Sequence, residues 1–193
     1  GTTARAATNA FGPIPIDGWE IDPEIITVGQ RVFDMNEPNL TLYGQDGRWG
    51  LENSTNRYSL IAVDAYRPPY IPPHLTTVEF FQIAYDHLDE NGCLVINVGR
   101  STNDRRLIND LSSTIRQVFP SAYVMDLPDT FNSMIFATKK PTEETNLLKN
   151  FILLSQQEDT PALLLETMQI TIANLQDAPE SGTIYTDDLA PIE

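Results

Sequence analysis

Three acidic residues lie at or just past the ends of segments that predict β-strands. They are Glu20, Asp46 and Asp64. In open α/β sheets, ligands bind in the crevice at the carboxyl edge, so acidic side chains at strand ends are better placed for chemistry than those on helix faces. A carboxylate there accepts hydrogen bonds from hydroxyl or amino groups. The corresponding apolar segments are Ile14 to Glu20, Leu40 to Tyr43 and Tyr58 to Asp64.

Each carboxylate has a functional interpretation and a plainer one. Glu20 ends a strand and precedes a helix, where an acidic side chain binds the ribose hydroxyls of a nucleoside. Asp46 lies in an Asp-Gly sequence and could accept from an exocyclic amine. The alternatives are a solvated turn at Glu20, an ordinary tight turn at Asp46 and a simple loop cap at Asp64.

A proline-rich loop follows Asp64. Residues 67–73 read Arg-Pro-Pro-Tyr-Ile-Pro-Pro. Four prolines fix their own φ angles and bias the preceding residues away from helical conformation, so the segment can neither continue a strand nor begin a helix. The sequence predicts a stiff loop over the crevice.

The composition is that of a globular domain with an acidic tail. The 193 residues are 41% hydrophobic and 20% charged, and the formal net charge is −15. Residues 141–193 carry ten acidic residues against one basic residue, Lys149. Such a charge argues against nucleic acid as a partner. No apolar segment is long enough for a membrane span, so we expect a soluble, cytoplasmic protein.

Strand-like and helix-like segments alternate, which predicts stacked βαβ units in a doubly wound, mostly parallel sheet. Asp22 and Pro23 mark a helix start, and Thr76 or Thr77 caps a later helix. The apolar run Gly92 to Val98 predicts a strand covered on both faces. A closing antiparallel hairpin is expected around Pro128-Asp129. Two amphipathic helices and an extended end follow, so residues 1–140 form the α/β domain and 141–193 an acidic helical extension.

No other catalytic pattern stands out. His74 and His87 fit structural or exposed positions, and Cys93 lies in an apolar run as a small hydrophobic residue. The spacing needed for a metal site, a Ser-His-Asp triad or a P-loop is not seen. We therefore expect no metal, and we expect chemistry based on carboxylates and a bound cofactor.

The order of these motifs resembles the class I S-adenosylmethionine-dependent methyltransferase fold, and specifically its spermidine synthase branch, the polyamine aminopropyltransferases. The resemblance covers essentially the whole chain. It rests on the three carboxylates at matching intervals and on the segments Pro69 to Phe81, Asn97 to Arg100 and Thr186 to Glu193.

The resemblance implies roles for individual residues. Glu20, with Ile21, would bind the ribose hydroxyls, and Asp46, with Gly47, would accept the adenine amino group. Asp64 would assist deprotonation of the attacking amine. Gly1 matches the last glycine of the family's cofactor loop. The substrate loop would comprise Tyr66, Arg67, Pro68 and Tyr70.

Two departures from the family pattern carry consequences. Arg67 stands where the family places a second aspartate, and a guanidinium would repel a polyamine. The family's first strand and most of its glycine loop have no counterpart before Gly1. That strand normally separates those matching Ile14–Glu20 and Tyr58–Asp64. We therefore expect a longer polypeptide, or a partner chain such as the second copy in a homodimer, to fill the gap.

Three functions follow from the resemblance. The first is aminopropyl transfer from decarboxylated S-adenosylmethionine to a small amine. The second is methyl transfer from S-adenosylmethionine to another small acceptor, which Arg67 favours. The third is a non-catalytic structural or interaction subunit that retains the fold.

Overall fold

The computed structural model of the protein describes residues 1–65, 71–101 and 104–189. Within these ranges, no helix combines the length and apolar character needed to cross a membrane. The helices are α1 (Thr2–Phe11), α2 (Pro23–Val32), α3 (Gly47–Glu52), α4 (Val78–His87), α5 (Arg106–Ile115), α6 (Glu144–Ser155) and α7 (Ala162–Asn174). The strands are β1 (Ile16–Glu20), β2 (Leu40–Gly44), β3 (Tyr58–Val63), β4 (Leu88–Gly99), β5 (Ser121–Asp126), β6 (Asn132–Thr138) and β7 (Leu175–Asp177).

The described strands form two sheets. β1 and β2 pair in parallel as a two-stranded sheet, and the larger sheet has the order β3-β4-β6-β5-β7. β3 and β4 are parallel, whereas β6 runs antiparallel to both β4 and β5. The predicted closing hairpin is therefore confirmed. β1 and β3 are not hydrogen-bonded to each other, and the strand expected between them stays a prediction.

The hydrophobic core lies on one face of the larger sheet. In β4, the alternate residues Leu94, Ile96 and Val98 are no more than 1% exposed. They belong to the same cluster as buried residues of α4 and α5, including Phe81, Ala84, Ile108, Leu111 and Ile115. Residues of the opposite face, such as Cys93 and Val95, are only half-buried. α4 and α5 pack on the first face of β4 and the second face is covered only in part, so the predicted cover is confirmed for one face of the strand.

Local capping signals explain where two helices begin. The Asp22 side chain accepts from the Glu24 backbone N–H at 2.9 Å, and Pro23 opens α2. The Thr77 hydroxyl oxygen accepts from the Phe80 N–H at 3.2 Å and caps α4. Such side chains satisfy backbone donors that the first helical turn leaves unpaired. Both predicted helix starts are confirmed.

The two sheets meet through a polar and aromatic junction. An Asp17 carboxylate oxygen accepts from the Tyr58 hydroxyl at 2.9 Å and from the Asn56 amide at 3.0 Å. The Trp19 ring stacks on Tyr43 and meets the Tyr58 ring edge-on, with centroids 5.9 and 6.0 Å apart. Side chains, rather than backbone pairing, therefore connect β1 to β3.

The C-terminal part returns to the domain. β7 pairs antiparallel with β5 and extends the sheet. Residues 183–189, which we call the C-terminal strap, then run against α4 and α5. The Val78 N–H donates to the Tyr185 carbonyl at 2.9 Å, and the Tyr185 hydroxyl donates to Asp110 at 2.7 Å. Burial and the hydrogen bond to Asp110 raise the pKa of Tyr185.

Candidate active site

The three predicted carboxylates all lie at carboxyl ends of strands. Glu20 is the last residue of β1 and stands opposite Gly44 of β2. Asp46 follows β2 by two residues, and Asp64 directly follows β3. Because each strand lies in a parallel pair, the structure places these residues at the type of edge where α/β sheets bind ligands.

Asp64 is held by a residue of the neighbouring strand. Val63 pairs with Ile96, so Asp64 comes next to Asn97 of β4. The Asn97 Nδ2 group donates to Asp64 Oδ1 at 2.9 Å. Asn97 Oδ1 is buried and has no hydrogen-bond partner among the described residues. A fixed carboxylate beside an unsatisfied amide oxygen offers two acceptors for the N–H groups of an amine.

Asp46 begins a short helix. Its Oδ1 accepts from the Trp49 backbone N–H at 2.9 Å, which makes it the N-cap of α3. The ordinary Asp-Gly turn considered as the alternative is therefore wrong. An added Cβ at Gly47 would make only ordinary contact with Trp19, so this position does not require glycine for steric reasons.

His74 is the second partner of Asp46. The His74 Nε2–H donates to Asp46 Oδ2 at 2.8 Å. Burial raises the pKa of Asp46, but the hydrogen bonds from Trp49 and His74 more than offset that and hold the pKa below its usual value. Asp46 therefore carries a negative charge at neutral pH and keeps the lone pairs with which it could accept a further donor.

Glu20 stands at the start of α2. Its Oε1 accepts from the Asp22 backbone N–H at 3.0 Å, while Asp22 itself caps the helix. Ile21 between them is 69% exposed. Glu20 therefore has one carboxylate oxygen engaged in shaping the turn.

Gly1 is the N-cap of α1, and an added Cβ there would lie 2.9 Å from Met35 Cγ.

The predicted substrate loop falls outside the described residues. Tyr66, Arg67, Pro68 and Tyr70 belong to residues 66–70, so the effect of Arg67 on acceptor choice stays a prediction. Ile71, just after the loop, is buried in the main core cluster.

A second polar cluster lies where β4 and β5 end. Arg105 donates to Asp126 Oδ2 at 2.7 Å, and the Ser133 hydroxyl donates to Asp126 Oδ1 at 2.6 Å. Arg100 Nε lies 3.7 Å from Asp126 Oδ1. Burial raises the pKa of Asp126, but Arg105 and Ser133 lower it by more, so the pKa is below its usual value. Two guanidinium groups thus share one carboxylate.

Sequence reasoning missed two functional candidates, Asn97 and His74. The sequence presents Asn97 only as part of a strand end that resembles the family, because its contact with Asp64 depends on the register between β3 and β4. A polar residue near the end of an apolar strand is the available signal. The sequence around His74 fits a structural or exposed position, because its partner Asp46 is 28 residues away along the chain.

Comparison with curated proteins supports a family assignment. The probable polyamine aminopropyl transferase of Bifidobacterium longum is 32% identical over an alignment of 208 positions, which covers 100% of this chain and 46% of that protein. The first two curated relatives are covered over 46% and 65% of their length, so this chain spans about half to two thirds of such proteins.

Solved structures share the architecture. A probable spermidine synthase from Corynebacterium glutamicum aligns with a TM-score of 0.70 at 17% identity, over 100% of this chain and 80% of the other. Human methyltransferase-like protein 13, solved in complex with SAH, aligns with a TM-score of 0.65 at 22% identity, over 88% and 75%. These likenesses confirm the α/β class I methyltransferase fold.

A family sequence pattern covers most of the chain. The profile described as the spermine/spermidine synthase domain matches residues 15–150, a range that includes Glu20, Asp46, Asp64, His74 and Asn97. The chain therefore belongs to the spermine/spermidine synthase domain family.

Proposed function

We propose that this chain carries the catalytic site of a polyamine aminopropyltransferase, which moves an aminopropyl group from decarboxylated S-adenosylmethionine to a small amine. The observation that carries the proposal is Asp64, fixed at the end of β3 by Asn97 of β4. The name of the 32% identical relative, a probable polyamine aminopropyl transferase, supports the same reaction.

The residues present fit such a donor. A nucleoside offers ribose hydroxyls and an adenine amino group, which are hydrogen-bond donors, and Glu20 and Asp46 are acceptors at adjoining strand ends. The sulfonium is a cation, and the chain carries a net charge of −15. In this proposal Glu20 binds the ribose and Asp46 binds the adenine.

The reaction is a displacement at the carbon next to the sulfonium. The lone pair of the amine nitrogen forms the new C–N bond, the C–S bond breaks, and its electron pair stays on sulfur in 5′-methylthioadenosine. The nitrogen becomes cationic as it attacks, and its surplus proton passes to Asp64 and then to solvent. Asp64 thus stabilises the developing charge and acts as the general base.

Product analysis tests the proposal. The chain is incubated with decarboxylated S-adenosylmethionine and putrescine, and 5′-methylthioadenosine and spermidine are quantified. We expect both products in equal amounts and a loss of about 10²- to 10⁴-fold in kcat for Asp64→Asn, the range typical of a general base. Asp89→Asn is the matched control, because Asp89 lies near the amino end of β4, where it accepts from Ser59.

Two outcomes would contradict this function. One is the absence of product above the Asp64→Asn background with any diamine. The other is methylated product formed from ordinary S-adenosylmethionine, which would assign the site to methyl transfer. The predicted cytoplasmic location, the division at residue 140 and the strand supplied by a partner or longer polypeptide stay predictions.

A further inference from the structure

The C-terminal strap is attached to the domain at two points. The first point is Tyr185, which is 8% exposed. Its backbone N–H donates to the Thr114 hydroxyl at 3.0 Å, and its side chain donates to Asp110 at 2.7 Å. Just before the strap, Gly182 passes so close to α5 that an added Cβ would clash with the Asn109 carbonyl. The strap therefore has one defined path.

The second point of attachment is Asp187. Both of its carboxylate oxygens accept from the Arg48 guanidinium at 2.7 Å, in a bidentate pair. The Thr77 hydroxyl donates to Oδ1 at 2.8 Å, and the Asp187 backbone N–H donates to Glu79 at 3.0 Å. Bidentate charge-assisted pairs of this kind fix geometry as well as contributing energy. Asp187 thus ties the strap to Arg48 and to the start of α4.

Arg48 extends this set of contacts toward Asp46, the carboxylate proposed to bind the nucleoside. Its Nη1 also donates to the His74 carbonyl at 3.0 Å, and the ring of His74 donates to Asp46 at 2.8 Å. Arg48 is only 18% exposed, so its donors are largely withdrawn from water. The hydrogen-bonded series therefore runs from Asp187 through Arg48 and His74 to Asp46.

We propose that Asp187 and Arg48 are positioning residues for nucleoside binding, which fix His74 and thereby the Asp46 carboxylate. This inference rests on the proposed function, since it assigns Asp46 to the nucleoside. Neither residue touches decarboxylated S-adenosylmethionine in this scheme. Without Asp187, the Arg48 guanidinium loses its bidentate partner. The His74 carbonyl then loses a fixed donor.

Calorimetric titration with 5′-methylthioadenosine tests this positioning role. We expect Asp187→Asn and Arg48→Gln each to weaken binding about tenfold, which is about 1.4 kcal/mol. The double variant should bind no more weakly than either single variant, because residues that act as one unit have non-additive effects. Glu90→Gln is the control, since Glu90 pairs with Lys140 in an exposed ion pair near the amino end of β4.

A kinetic measurement separates positioning from general destabilisation. With the two substrates of the proposed reaction, Asp187→Asn should raise KM for the donor about tenfold and leave kcat within about twofold, because Asp64 and Asn97 are untouched. A variant that merely loosens the fold would lower kcat as well. Arg48→Lys should not restore affinity, since an ammonium cannot form the bidentate pair.

The outcomes distinguish the two proposals. Unaltered affinity in Asp187→Asn, with normal binding by the unchanged chain, would overturn the positioning role alone. A double variant whose loss equals the sum of the single losses would do the same. Absence of binding by the unchanged chain would overturn the proposed function, and the positioning role with it.

Discussion

The two halves of the candidate site, Asp64 with Asn97 and Glu20 with Asp46, are held in place by different kinds of interaction. Asp64 and Asn97 stand on β3 and β4, next to a core in which alternate β4 residues are at most 1% exposed. Glu20 and Asp46 stand on a two-stranded sheet, and neither β1 nor α2 contains a buried residue. Apolar packing thus fixes the acceptor end, where the amine would bind.

The nucleoside end depends more on polar connections, although Leu51 of α3 belongs to the main core cluster. Asp17 links β1 to Tyr58, His74 links Asp46 to the loop before α4, and Asp187 links Arg48 to the strap. Hydrogen bonds contribute less stability each than a buried aliphatic side chain does, but they specify direction. The difference teaches that one half of the site is positioned by packing and the other by directional contacts.

The largest expected difference is in packing, and a matched pair of leucines measures it. Leu94→Ala in β4 should lower the free energy of unfolding by about 2–5 kcal/mol, because it leaves a cavity in the core. Leu42→Ala in β2 should cost about 1 kcal/mol, since Leu42 is only half-buried. Urea denaturation followed by circular dichroism gives both values. Equal losses would refute the contrast between the halves.

The next prediction separates the halves by function. Asn97→Ala should lower kcat about 10- to 100-fold, because Asp64 loses the donor that orients it, while affinity for 5′-methylthioadenosine stays unchanged. Glu20→Ala should do the reverse and weaken nucleoside binding. Steady-state kinetics and calorimetry on the same preparations check the pair. If Asn97→Ala impaired nucleoside binding instead, the assignment of the two ends would be wrong.

A smaller effect is expected at the junction between the sheets. Tyr58→Phe removes the hydroxyl that donates to Asp17 and should cost about 1 kcal/mol. The loss should appear as faster amide hydrogen exchange in β1 and β2, with β4 unaffected. Tyr43→Phe is the comparison variant, because the Tyr43 hydroxyl also donates to Asp17, at 3.5 Å, but lies in β2 and does not join the two sheets. Exchange that rises equally in β4 would show that the sheets unfold as one unit.

The smallest expected effect is a loosening of the C-terminal strap when the pH is lowered. The hydrogen bond from Arg48 lowers the pKa of Asp187 below its usual value. The ion pair between Asp187 and Arg48 therefore contributes fully to strap attachment above the ordinary aspartate pKa, near pH 4. This contribution is lost as the pH falls through the lowered pKa of Asp187. Hydrogen exchange across residues 183–189 should increase in that range, and less so in Asp187→Asn. Because Asp187 is 43% exposed, added salt should reduce the effect.

Local signals in the sequence were sufficient for much of the fold. Asp22-Pro23 and Thr77 mark helix starts through side chains that bond within three residues, and the structure confirms both. Helix α3 escaped detection because its six residues are too few for apolar periodicity, although Asp46 at its start is a typical cap.

The partners of the site residues required the tertiary structure. Asn97 reaches Asp64 only through strand register, and Asp187 reaches Arg48 across 139 positions. The acidic C-terminal composition suggested a solvated tail, yet Asp187 within it is bound to the domain. Composition and periodicity describe neighbours along the chain, so contacts between distant segments lie beyond them.

The long span of the Arg48–Asp187 pair has a consequence for biosynthesis. Translation at about 5–20 residues per second separates the two residues by roughly 7–28 s. β1, β2 and α3 are thus synthesised well before the carboxylate that pairs with the guanidinium of Arg48. The set of contacts around Arg48 is therefore completed only after residue 187 has been synthesised.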